Sequence, residues 1–144
     1  MTTIFSKILQ EEVPVSFVYR DDKVSAFLDV QPLNQGHILV IPNQEVISLR
    51  ELDEETGEHL FRVAHRIAKA LWHSSLNCEG INLWLADGEA AQQHVRHLHL
   101  HVIPRYKEDN IKWGTSDLNR PLASREELEE IAEIVRSSLV KLEH

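Results

Sequence analysis

Hydrophobic and polar positions alternate along several short stretches of this chain and repeat with helical period along two long ones. Ile4, Phe5, Ile8 and Leu9 share one helical face and predict a short helix that ends before Pro14. Phe17 to Arg20 and Val24 to Leu28 flank Asp21-Asp22-Lys23 and read as two strands joined by a tight turn. Pro32 to Gly36 is loop by composition, and His37 to Ile41 is a β-rich run stopped by Pro42. From Asp53 to about Ser75, Leu60, Ala64, Ile67 and Leu71 recur at i, i+4, i+7 and i+11, the stripe of a long helix packed on a core. Gly80 to Leu85 and His97 to Ile103 read as further strands. Ser124 with Glu127 forms a capping-box pattern, and Leu128, Ile131, Val135 and Leu139 stripe a second helix reaching about Val140. The sum is an α+β domain, a small antiparallel sheet of about five strands with a long central helix and a C-terminal helix.

The last of those strands holds the unusual chemistry. Residues 97–105 read HLHLHVIPR. In a strand, Leu98, Leu100 and Val102 would point one way and His97, His99 and His101 the other, about 6.5–7 Å apart. Core filling does not sort three imidazoles from three aliphatics in this way. Metal binding is one alternative, with His37 as a distant ligand. Successive same-face residues, however, stand far apart for one ion with bonds of about 2.0–2.1 Å. The other alternative is nucleophilic chemistry at phosphorus, one ring attacking while its neighbours donate to phosphate oxygens.

Composition narrows the partners. The chain has 144 residues, enough for one self-sufficient core, and a formal net charge of −8. That charge argues against a broad nucleic-acid-binding face, so any phosphate must be held by local groups. The single cysteine, Cys78, excludes an internal disulfide and a cysteine-rich zinc site, and reads as a small core residue. No run is long enough for a signal peptide or a membrane span, so a cytoplasmic protein without a membrane partner is expected. Leu142-Glu143-His144 resembles the stub of an expression tag, which leaves residues 1–141 as a single domain.

HLHLHVI has the form of the histidine triad signature, and the approach DGEAAQQHVRHLHLHVIPR resembles that family's glycine-and-glutamine loop followed by its triad. TIFSKILQEEVP, VYRDDKVSAFLDVQPLNQGHILVIP, the late IKW and the acidic C-terminal helix are similar to its bacterial, purine nucleoside phosphoramidase-like members. The resemblance covers nearly the whole chain. It implies a nucleotide hydrolase or transferase acting at the α-phosphorus of a nucleoside phosphoramidate or dinucleoside polyphosphate. It also implies a purine nucleotide substrate, no cofactor or metal for the chemistry, and a homodimer with one continuous sheet. His99 matches the nucleophile, His101 and His37 the histidines near it, and His97 the first triad member. Asp29 matches the carboxylate that binds ribose hydroxyls. Phe5, Ile8, Phe27 and Val30 match the residues that sandwich the base, and Gln93 and Val95 lie in the phosphate-contacting loop. Three positions depart from the family pattern. Ala86 stands where asparagine or glutamine is usual, Gln92 where glycine is common, and His94 where a small residue or hydroxyl is frequent; an imidazole there could protonate a leaving amine. The zinc ligands of some relatives are here Thr3, Ser6 and Glu45, so no structural zinc is expected.

Overall fold

A computed structural model of the chain describes residues 2–111 and 120–143. The elements run α1 (Ile4–Leu9), β1 (Phe17–Arg20), β2 (Val24–Leu28), β3 (Ile38–Pro42), α2 (Glu54–His73), β4 (Gly80–Leu85), β5 (Leu100–Arg105) and α3 (Arg125–Leu142). The strands form one five-stranded sheet in the order β1-β2-β3-β5-β4, with every neighbouring pair antiparallel. This is the predicted α+β architecture. Of the IKW stretch, Lys112 and Trp113 lie outside the described residues, as does His144 of the suggested tag stub.

Alternation sorts the sheet's side chains between two layers. Val24, Ala26 and Leu28 of β2, Ile38 and Val40 of β3, and Leu100 and Val102 of β5 join a core with Leu60, Val63, Ala64, Ile67 and Leu71 of α2 and Leu128, Ile131, Ala132 and Val135 of α3. Cys78 is buried in this layer. The opposite face buries Phe27, Leu39 and Ile41 under Phe5 and Ile8 of α1. Each helix begins on a side-chain acceptor, which satisfies an otherwise orphaned backbone N–H: Thr3 accepts from Ser6, Asp53 from Thr56 and Ser124 from Glu127. Thr3 and Ser6, at two of the positions that are zinc ligands in some relatives, here form a reciprocal capping box.

One predicted strand is displaced. His97 to Ile103 was expected, and β5 instead runs from Leu100 to Arg105. The cause lies in β3, whose pairing with β5 ends at Val40↔Leu100. Beyond that point the ladder acceptors are taken by rings. His97 Nε2 donates to the Pro42 carbonyl at 2.8 Å, and His99 Nδ1 donates to the His97 carbonyl at 2.7 Å. The intervening backbone is tied elsewhere, Leu98 N–H donating to the Val46 carbonyl at 2.8 Å. β3 is likewise shifted by one residue and includes Pro42, which pairs with Val24 of β2 past the end of the β5 ladder.

Candidate active site

The face of the sheet that carries α1 opens, among the described residues, into a cavity of about 270 Å³ between α1, the loop after β2, the end of β4 and the start of β5. His37, His99 and His101 line it together, with Phe5, Ile8, Phe27, Asp29, Val30, His94 and Val95. Two residues expected at the site do not line it. His97 is 1% exposed and is spent on the Pro42 carbonyl, so it props the chain beneath His99. The Gln93 side chain ties its own loop together and to the segment after β3, accepting from Gly88 N–H at 2.8 Å and donating to the Ile47 and Val95 carbonyls at 2.9 and 3.1 Å.

The hydrogen bonds fix which nitrogen of each neutral ring carries the proton. His99 Nδ1 faces a carbonyl, which can only accept, so Nδ1 is protonated and Nε2 holds the lone pair. His99 Nε2 makes no hydrogen bond among the described residues. No buried side-chain nitrogen or oxygen there lacks a partner, so this lone pair opens onto the cavity. His37 is set from the other side. The Leu33 N–H donates to its Nδ1 at 3.0 Å, which places the ring proton on Nε2. That proton is donated to His101 Nδ1 at 2.9 Å. His101 therefore carries its own proton on Nε2, facing the cavity. The site offers one base at His99 and one donor at His101, with ring centroids 4.9 Å apart.

Burial holds these rings in that neutral state. Desolvation keeps His37 well below the usual imidazole range, reinforced by the neighbouring His101. His101 is pushed down to about 3, by burial first and His99 next. Burial also lowers His99 and His97, each opposed by the carbonyl its ring donates to. Burial pushes the Asp29 carboxyl up, against the Gln31 N–H at 2.8 Å and the charge of Arg120.

Asp29, His37 and His101 could in principle hold a metal, since one ligand atom from each lies within 4.8 Å of the others. The proton placement argues against it. A metal on His37 Nε2 needs a lone pair there, and a neutral ring would then carry its proton on Nδ1, against the Leu33 N–H donor. The His37–His101 pair fits a proton relay better than a cation, with the Asp29 carboxylate 3.7 Å from His37 Nε2 and outside hydrogen-bond distance.

Local sequence explains how the parts arrive here. Gly36 has φ +89°, and a Cβ on it would sit 3.1 Å from both Leu76 Cδ1 and Pro104 Cγ, so the turn feeding His37 into the sheet needs glycine on two counts. The Phe5 ring meets His99 edge-on at 5.0 Å and Phe27 at 5.6 Å, which packs the nucleophile's ring against the apolar wall. Gln92, where the triad family commonly has glycine, takes the left-handed conformation at φ 68° and lines the cavity. Trp84 and Arg120 also line the cavity and were not anticipated. Parity along β4 could have found Trp84, which is opposite His101 in the ladder with ring centroids 5.3 Å apart. Arg120 stands in an irregular stretch before α3 and carries no pattern; its Nε donates to the Gln31 carbonyl at 2.9 Å.

Residues 10–108 match the HIT domain family model, a span that includes every histidine of the cavity. The chain belongs to the HIT domain family. Among its HIT relatives, an uncharacterized HIT-like protein of Borreliella burgdorferi is 46% identical over 107 residues, 74% of this chain and 77% of that one. A purine nucleoside phosphoramidase of Escherichia coli K12 is 35% identical over 101 residues, 70% of this chain and 85% of that one. A zinc-bound histidine triad family protein of Mycobacterium smegmatis superposes with a TM-score of 0.86 at 34% identity, covering 99% of this HIT chain and 96% of its own.

Proposed function

We propose that this HIT protein is a nucleotide hydrolase or transferase that cleaves at the α-phosphorus of a nucleoside phosphoramidate or dinucleoside polyphosphate. The observation that carries the reading is the His99 Nδ1–H···O=C bond at 2.7 Å, which turns the Nε2 lone pair into the cavity. A nucleophile needs that lone pair, and a ring kept neutral by burial has it at physiological pH. Likeness to the E. coli purine nucleoside phosphoramidase supports the substrate class.

In this reading the base lies among Phe5, Ile8, Phe27 and Val30, and Asp29 accepts from the ribose hydroxyls. His99 Nε2 attacks phosphorus in line, and the bond to the amine or nucleotide breaks as the N–P bond forms. His101 Nε2–H donates to a phosphate oxygen where charge gathers. Its partner His37 holds that proton in place through the 2.9 Å bond. A leaving amine takes a proton, for which His94, exposed on the cavity's loop, is the candidate. Water then attacks the nucleotidyl-His99, releasing nucleoside monophosphate and restoring the free ring. A homodimer also belongs to this reading. β4 forms one edge of the sheet and leaves Leu83 39% exposed, and two such edges pairing would make one continuous sheet.

The test is intact-protein mass after brief mixing with adenosine phosphoramidate in chelator, wild type beside His99→Asn. A transient nucleotidyl adduct in wild type alone, with nucleoside monophosphate accumulating, is the expected result. Binding without adduct or product would make the protein a nucleotide-binding module. Activity abolished by the chelator would assign the histidines to a metal.

A further inference from the structure

Outside the ring cluster, one hydrogen-bonded network leads back into it. The Asn34 Nδ2 group donates to Asp109 Oδ2 at 2.8 Å and to the Pro104 carbonyl at 3.0 Å. Asp109 is itself gripped by Arg105, Nε to Oδ2 and Nη2 to Oδ1, both at 2.8 Å, and by the Tyr106 N–H at 3.0 Å. Asn34 therefore fastens the β2–β3 loop to the far end of β5, the strand that also carries His101. The same loop closes on His37 twice. His37 N–H donates to the Asn34 carbonyl at 3.1 Å, and Leu33 N–H donates to His37 Nδ1 at 3.0 Å.

The Leu33 amide has a consequence beyond packing. It keeps the His37 proton on Nε2, and hence the His101 proton on the cavity side. If that amide drifts, His37 can carry its proton on Nδ1. His37 Nε2 then accepts from His101 Nδ1, and His101 presents a lone pair to the cavity instead of a proton. The relay's polarity reverses with no ring leaving its place. A phosphate oxygen facing a lone pair gains nothing from it.

We propose that Asn34, clamped by Asp109 and Arg105, is a positioning residue that holds the Leu33 amide on His37 and so sets the direction of the His37–His101 proton relay. The inference rests on the catalytic reading of the cavity for its effect on turnover, but not for its effect on the rings.

The decisive measurement is long-range ¹H–¹⁵N correlation of the histidine ring nitrogens, without ligand, in wild type, Asn34→Asp and Asp109→Asn. Asn34→Asp is nearly isosteric and turns the donor into an acceptor facing a carboxylate; Asp109→Asn keeps the partner's shape but sets a neutral amide where Asn34, Arg105 and Tyr106 all donate. Wild type should show His37 and His101 each unprotonated at Nδ1 and protonated at Nε2. Asn34→Asp should mix the two tautomers at both rings. Its kcat should fall about 10–100-fold, the size of effect seen when an outer partner of a functional histidine is removed, with KM little changed. Asp109→Asn, which weakens the clamp from its other side, should move the rings and kcat in the same direction. Should Asn34→Asp not fold, Asp109→Asn alone loosens the clamp and is read the same way. A wild-type ring pattern preserved in the folded variant would overturn the proposal, even with nucleotide turnover intact. Mixed tautomers in a protein whose wild type turns over no nucleotide would uphold the clamp and reject the catalytic reading.

Discussion

The two faces of the sheet are built from alternate residues of the same strands and serve opposite ends. One face is roofed by α2 and α3 and is apolar and closed; Val24, Ala26, Ile38, Val40 and Val102 are all 0% exposed there. The other is covered by the six-residue α1 together with Val13, Val15 and Val95 and holds a smaller apolar cluster. Beside it His37 and His99, buried but polar, and half-buried His101 line a cavity. Burying imidazoles gains less than burying aliphatics, and it is tolerated because the rings pair with one another or with carbonyls. The face under α2 and α3 supplies the stability that lets the other face carry a cavity lined with polar rings.

Neighbouring residues at the start of β5 give the strongest way to break this division. His99→Ala should cost turnover by a factor on the order of 10³–10⁶, the range for loss of a catalytic nucleophile, while the protein stays folded. Leu100→Ala, one residue on and facing the helices, should destabilise by about 2–5 kcal/mol while folded molecules keep most of their turnover. Steady-state rates beside urea unfolding curves check both. If His99→Ala chiefly unfolds the protein, or Leu100→Ala chiefly abolishes turnover at full stability, the two faces do not divide function from stability.

The cavity face should also be the more sensitive to acid. His37, His97, His99 and His101 all titrate below the ordinary imidazole value near 6.5 because burial disfavours their charged forms. Below 6.5 the unfolded chain binds protons at these positions that the folded one refuses. Their contribution is therefore complete above about pH 6.5 and is lost as pH falls, by about 1.4 kcal/mol per pH unit for each proton of difference. Urea midpoints between pH 7.5 and 5 should decline, most steeply below 6.5. That range keeps the carboxylates largely out of the comparison. A flat midpoint would mean that the rings are charged or solvated in the folded state.

The helix-covered face was the more legible of the two in the sequence. Leu60, Ala64, Ile67 and Leu71 repeat with helical period, and all are at most 3% exposed in α2. β-rich runs and the turn residues between them read β1, β2 and β4 at their observed bounds. Alternation failed at the start of β5, where His97 and His99 have the parity of a strand but their rings and the neighbouring carbonyls replace its ladder. On the cavity face, Phe5, Ile8 and Phe27 look like any core residues, because residue type does not record that a cavity opens beside them. Only likeness to the triad family marked them as a pocket. Gln93 is the reverse case, a polar side chain in the expected loop whose amide is taken by that loop and by the Ile47 carbonyl. The wall at Arg120 depends on the segment before α3 returning to residues 30 and 31, where Ala123 N–H donates to the Val30 carbonyl at 2.9 Å. Nothing local in the sequence signals that return.

A smaller effect sharpens the comparison at the seam between the faces. Ala86 follows β4, is 5% exposed and lines the cavity, where triad proteins usually present an amide. Asn82 cannot stand in for it, because its Oδ1 accepts from Arg105 Nη1 at 2.8 Å in the network below the site. Ala86→Asn restores a polar group to the wall. One added hydrogen bond is worth about 1 kcal/mol net, so KM for a nucleoside phosphoramidate should fall about fivefold while kcat stays near its original value. The larger side chain must also fit a packed position, at a cost of about 1–3 kcal/mol in stability. Both changes together would place the nucleotide against the end of β4. A loss of stability with KM and kcat unmoved would mean that the substrate sits deeper under α1, and that Ala86 belongs to the packed part of the sheet, not to its open face.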